Sequence, residues 1–190
     1  MDNLLMLETF FVSLSTVAVA EIGDRTQLLS LMLAARFRRP WPILAGVLCA
    51  TLANHAIAAL IGQRLGRALT PRILDTAVGL SMIAMALWTL KPDTLGETAA
   101  SGKRRGAFLA TLLTFFVAEI GDKTQIATVA LAAAYSNLFT VVAGTTAGML
   151  LANAPVIFFG KAFSARLPLT PIRYVASAIF LALGVFFLLR

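Results

Sequence analysis

The sequence predicts an all-α membrane protein of six transmembrane helices, arranged as two inverted three-helix repeats, and three observations carry that prediction. Of the 190 residues, 59% are hydrophobic and only 13% are charged, with a mean hydropathy of +0.86; a soluble domain carries about 25% charged residues. Six apolar stretches of roughly 20 residues, enough to cross a bilayer, use most of the chain. The heptapeptide Glu21-Ile22-Gly23-Asp24-Arg25-Thr26-Gln27 returns 98 positions later as Glu119-Ile120-Gly121-Asp122-Lys123-Thr124-Gln125.

The first predicted span runs over residues 4–35 and contains the first heptapeptide. As one straight helix it would reach about 48 Å, against a hydrocarbon core of about 30 Å, so a tilt or a bend near Gly23 is expected. The N-terminus lacks a basic leader and is expected to open this first span, not a cleaved signal peptide. The second span, 41–61, is entered through Pro40 and Pro42; the third, 73–90, follows Thr70-Pro71 and stops at Lys91-Pro92. The fourth, 106–134, carries the second heptapeptide and should bend near Gly121. The fifth and sixth cover 138–159 and 172–189.

Further pairs keep nearly the same offset: Gly46 with Gly144, Asn54 with Asn153, Gly62 with Gly160, and Thr70-Pro71 with Thr170-Pro171. The chain therefore divides into a first repeat (1–91), a connector (92–105) and a second repeat (106–190) within one transmembrane domain. Three spans per repeat force the repeats into opposite orientations, an arrangement many secondary transporters share. Basic residues flank the apolar runs, as membrane anchors and topology signals do. With the N-terminus outside, ten lie in the loops facing the cytoplasm, among them Arg36, Arg38, Arg39, Lys103, Arg104 and Arg105, against four on the other side: Arg64, Arg67, Arg72 and Arg190. The expectation is both termini outside and the connector inside. That distribution also excludes a nucleic-acid surface, despite the net charge of +7.

Carboxylates inside a membrane are costly and mark ion or substrate pathways. On a continuous helix Glu21, Asp24, Arg25 and Leu28 would share one face, and the second heptapeptide repeats the pattern. Glu21, Asp24, Glu119 and Asp122 against Arg25 and Lys123 leave a charge of about −2, which one divalent cation or two protons would neutralise. Both occupancies compete for the same oxygens, the minimal chemistry of cation/proton antiport. The donors expected to hold the cation are Glu21, Asp24, Gln27, Glu119, Asp122 and Gln125. Arg25, Lys123, Thr26, Thr124, Asn54 and Asn153 are expected to line the pathway or balance charge. Oxygen-only donors suit Mg²⁺, Ca²⁺ or Mn²⁺; with one cysteine and one histidine in the chain, a thiolate or imidazole cage is excluded. No catalytic constellation and no resident cofactor is expected.

A purely structural reading competes. Glu21–Arg25 and Glu119–Lys123 stand four apart in the favourable order for helical ion pairs, but this leaves Asp24 and Asp122 without assigned partners and does not explain the duplication. A cationic amino acid such as lysine is an alternative cargo, with Arg25 or Lys123 receiving its carboxylate. His55, opposite Ala154 in the second repeat, is expected to make a local polar contact. Phe180, Phe186 and Phe187 are expected to face lipid or pack.

The two heptapeptides resemble the paired E-x-G-D-[KR]-[TS] signatures of the GDT family of small membrane proteins, within the lysine-exporter-like superfamily, and the resemblance extends over essentially the whole chain. It implies transport of Mn²⁺ and/or Ca²⁺ in exchange for protons, with bacterial members exporting Mn²⁺ across the inner membrane. It also implies that Glu21, Asp24, Glu119 and Asp122 are the acidic residues of the site, and the short chain is similar to the bacterial members.

Overall fold

A computed structural model describes residues 2–91, 106–160 and 169–190. The connector expected at 92–105 lies outside the described residues. Among the described residues there are eight helices and no strand: α1 (Asp2–Glu21), α2 (Arg25–Phe37), α3 (Pro40–Ala68), α4 (Pro71–Leu90), α5 (Ala107–Glu119), α6 (Lys123–Ala134), α7 (Leu138–Phe159) and α8 (Leu169–Leu189). The helix edges follow local chemistry. Pro40 and Pro71 open α3 and α4, where a missing N–H costs nothing. The Asn137 side chain accepts the Thr140 N–H (3.1 Å) and caps α7. Pro155 lies within α7, which continues to Phe159.

Five of these helices, α1, α3, α4, α7 and α8, are long and apolar enough to cross a membrane. The fourth expected span is instead two shorter helices, α5 and α6, separated at the second heptapeptide. The first expected span is likewise interrupted, giving α1 and α2. Large apolar side chains cover the outer surface, including Leu5, Phe11, Trp41, Leu87, Phe139, Leu151 and Phe186. A surface of this kind belongs against lipid. Phe180 and Phe187 instead pack inside, with Met82, Met85, Leu131 and Val141.

Each broken helix pair packs on a long helix from the other half of the chain: α1 and α2 on α7, α5 and α6 on α3, while α4 lies along α8. The correspondence extends to atoms. A Cβ on Gly46 would lie 2.8 Å from the Phe108 carbonyl oxygen and 2.7 Å from Thr111 Cβ; on Gly144 it would lie 2.6 Å from the Phe10 oxygen and 2.8 Å from Ser13 Cβ. Gly46 moved forward by 98 positions, and Phe108 and Thr111 moved back by 98, give the second trio. Only glycine lets the backbones approach this closely.

Candidate functional site

The two heptapeptides form the same turn. Each helix stops at its glutamate, the glycine adopts a left-handed conformation (φ +80° at Gly23, +72° at Gly121), and the aspartate starts the next helix from an extended conformation. The Asp24 N–H donates to the Glu21 carbonyl (3.0 Å) and the Asp122 N–H to that of Glu119 (3.1 Å). An L side chain in the left-handed region is strained, so glycine is the residue that fits. The glutamine then braces the turn: Gln27 Oε1 accepts the Gly23 N–H (2.9 Å) and Gln125 Oε1 that of Gly121 (2.7 Å). Gln27 Nε2 also donates to the Ala152 carbonyl (3.0 Å), tying the turn to α7.

The bends expected at Gly23 and Gly121 are thus full breaks, and the expectation of one continuous helical face through each motif is corrected. Glu21 and Arg25 belong to different helices, and the two aspartate ion pairs of the described residues do not stay within one motif. They run between motifs. Arg25 Nη2 lies 2.9 Å from Asp122 Oδ1, and Lys123 Nζ pairs with Asp24. Asp24, Asp122 and Lys123 are buried; Arg25 is more open, its side chain 36% exposed.

Glu21, Asp24 and Asp122 are brought together: one carboxylate oxygen of each lies within 4.8 Å of the others, and all three residues are buried. Oxygens bound to one ion at 2.3–2.6 Å lie up to about 5 Å apart across it, so this spacing is within reach of a single hard cation. The Thr26 hydroxyl donates to Glu21 Oε2, and that of Thr124 to Asp122 Oδ2 (3.3 Å). Glu119, fully buried, is outside this group. Its Oε1 accepts from Thr51 Oγ1 (2.7 Å) and its Oε2 from Asn54 Nδ2 (3.2 Å), both on α3.

Asn54 therefore meets a carboxylate of the motif and Asn153 does not. Asn153 Oδ1 accepts from Ser30 Oγ (2.6 Å) and its Nδ2 donates to the Met149 carbonyl (3.1 Å), joining α2 to α7. Sequence reasoning missed Thr51. Its signal was a threonine three positions before Asn54, on the same face of an apolar helix. Among the described residues neither ring nitrogen of the fully buried His55 has a hydrogen-bond partner, which corrects the local polar contact expected of it.

Compared with known proteins, the chain matches the profile of the family described as Divalent cation/proton antiporter GDT1 over residues 9–97 and 107–190. It is 49% identical over 181 residues to a Vibrio cholerae protein to which manganese export is ascribed, covering 94% of this chain and 90% of that protein. A GDT1-like protein of Synechocystis is 29% identical over 195 residues (92% and 94% covered). GDT1-like protein 3 of Oryza sativa subsp. indica is 23% identical over 207 residues (95% and 73%). No solved structure matches.

Proposed function

The chain belongs to the GDT1 family of divalent cation/proton antiporters, and from that premise we propose that it exports Mn²⁺, with Ca²⁺ as a second cargo, in exchange for protons across a bacterial inner membrane. The family is one of antiporters, not of enzymes. The observation that carries the proposal is the meeting of Glu21 and Asp24 from one motif with Asp122 from the other, at a spacing one cation can bridge.

The three clustered carboxylates form the core of the cation seat in this reading. Glu119 completes the acidic set from its place against α3, and the glutamines support it through the second lone pairs of their amide oxygens. Arg25 and Lys123 act as tethered cations that neutralise Asp122 and Asp24 while no divalent ion is bound. An arriving ion displaces them. Protons on the same oxygens displace the ion in turn, which couples the two fluxes through one site.

The proposed architecture is six spans in two inverted repeats, 1–91 and 106–190, with both termini outside and the 92–105 connector in the cytoplasm. The matching contacts of Gly46 and Gly144 support it, as does the reciprocal packing of each broken helix on the other half. The breaks at Gly23 and Gly121 would be the hinges of alternating access. An amino-acid cargo is less well supported, because both basic residues that would receive its carboxylate are engaged by aspartates.

Transport by the purified protein in liposomes tests the proposal, with Mn²⁺, Ca²⁺, Mg²⁺ or lysine, with and without a pH gradient. Mn²⁺ flux that accelerates with an opposing proton gradient and disappears in Asp24→Asn is the expected result. Flux indifferent to the gradient would remove the antiport, and full activity in Asp24→Asn would remove the site.

A further inference from the structure

A second feature lies away from the acidic turns, where α2 ends, α3 begins and α7 ends. There the chain lines an open cavity of about 350 Å³, at the small end of the usual range for ligand pockets. Its lining has two characters. Leu31, Ala34, Ile157 and Phe158 form an apolar wall, and Arg38 and Arg39 supply positive charge. Among the described residues neither arginine has a salt-bridge partner, and no acidic residue lines the cavity.

Arg38 is the one described residue other than glycine with a positive φ (+53°). Its N–H closes α2 on the Ala34 carbonyl (3.0 Å), a helix-ending position that glycine or asparagine fills with less strain. An arginine kept in a conformation that favours glycine points to a requirement for its side chain. Next to it, Trp41 stands edge-on to Phe158 with ring centroids 5.2 Å apart; tryptophan prefers the headgroup level of a membrane.

The other half of the chain supplies an internal control. Shifted by 98 positions, Arg36-Phe37-Arg38-Arg39 becomes Ala134-Tyr135-Ser136-Asn137, a neutral turn with Tyr135 in an extended conformation. The charge and the strained backbone are therefore confined to one of two equivalent positions. A basic pocket between membrane helices, with an apolar wall leading to lipid, has the chemistry of an anionic headgroup site.

We propose that this cavity binds the phosphate headgroup of an anionic glycerophospholipid, with Arg38 and Arg39 on the phosphate and the acyl chains along the wall of Leu31, Ile157 and Phe158. Such a site would hold the α2–α3 turn at the membrane surface and is independent of the transport reading.

Native mass spectrometry of the detergent-purified full chain tests it, with phosphatidylglycerol and phosphatidylcholine of identical acyl chains as probes. Phosphatidylglycerol should be retained over phosphatidylcholine, and the double variant Arg38→Gly/Arg39→Gln should weaken its retention by about thirtyfold. Glycine suits the left-handed backbone at position 38, so the loss would not come from misfolding. Arg64→Gln/Arg67→Gln, at the far end of α3, should leave retention unchanged. Undiminished retention in the Arg38/Arg39 variant, or equal retention of phosphatidylcholine, would overturn the proposal. So would displacement by free glycerol phosphate at concentrations equal to the lipid, which would mark a site for soluble phosphate.

Discussion

The turns at Glu21–Asp24 and Glu119–Asp122 share a backbone but differ in what surrounds them. Both have a left-handed glycine, a glutamine brace and an aspartate at the head of the following helix. Glu21 sits with Asp24 and Asp122 in one group, whereas Glu119 is held by Thr51 and Asn54 of α3. Lys123 is buried against Asp24, while Arg25 faces Asp122 from a more open position. A repeated sequence thus fixes repeated backbone geometry. The side-chain partners come from helices that have diverged, with Thr51 in α3 near the position where α7 carries Met149. The differences between the turns assign different work to equivalent residues.

The ion pairs should separate the turns most strongly. Removing one member of a buried pair costs about 3–5 kcal/mol, because the partner charge stays buried. Lys123→Gln is therefore expected to lower thermal stability in detergent by an amount in that range. Arg25→Gln also leaves a buried partner, Asp122, but removes a side chain that is itself partly exposed, and should cost less, about 1–3 kcal/mol. Added Mn²⁺ should restore much of the Lys123→Gln loss, since a bound cation replaces the missing ammonium. Equal losses in both variants would mean that the difference in burial has no energetic consequence.

The carboxylates come next. If the three-oxygen group holds the cation, Glu21→Gln should weaken Mn²⁺ binding by about a hundredfold or more. Glu119→Gln, outside the group, should weaken it by about tenfold, within the range seen for groups that support ligands without being ligands. Calorimetric titration of the two variants checks the ranking, and a reversed order would make Glu119 the principal ligand.

The backbone should show the two turns as equals. Alanine at either glycine is forced into the left-handed region at a cost of about 1–2 kcal/mol. Gly121→Ala isolates that strain, since a Cβ there meets nothing within 4 Å. A matching loss of thermal stability in Gly23→Ala would place the similarity of the turns in the backbone alone.

Much of this was legible in the sequence because it is local. Hydropathy and proline positions found α7 at its observed bounds, and each motif glycine marked a break. The membership of the acidic group was not legible. Spacing of four suggests Glu21–Arg25 only while the helix is continuous; once Gly23 breaks it, pairing depends on how two distant turns meet. Thr51 was faint for a different reason. A threonine in an apolar helix ordinarily bonds its own backbone, as Thr76 does to Arg72 and Thr128 to Thr124, and only its place three positions before Asn54 sets apart the one that reaches Glu119.

The asparagines give the smallest and most discriminating test, since they match in sequence but not in contacts. Asn54 donates both to Glu119 and to the Phe116 carbonyl (3.0 Å), so Asn54→Ala should slow Mn²⁺ transport by about tenfold through a misplaced Glu119. Asn153 bonds to Ser30 and to its own helix. Asn153→Ala should therefore cost about 1 kcal/mol of stability and leave transport per folded molecule unchanged. Liposome flux normalised to folded protein separates the two outcomes. If Asn153→Ala slows transport as much as Asn54→Ala, the repeats must exchange roles during the cycle, with Asn153 meeting Glu21 in a second conformation as Asn54 meets Glu119 in this one. The contrast between the turns would then belong to one state of an alternating transporter and not to a permanent division of labour.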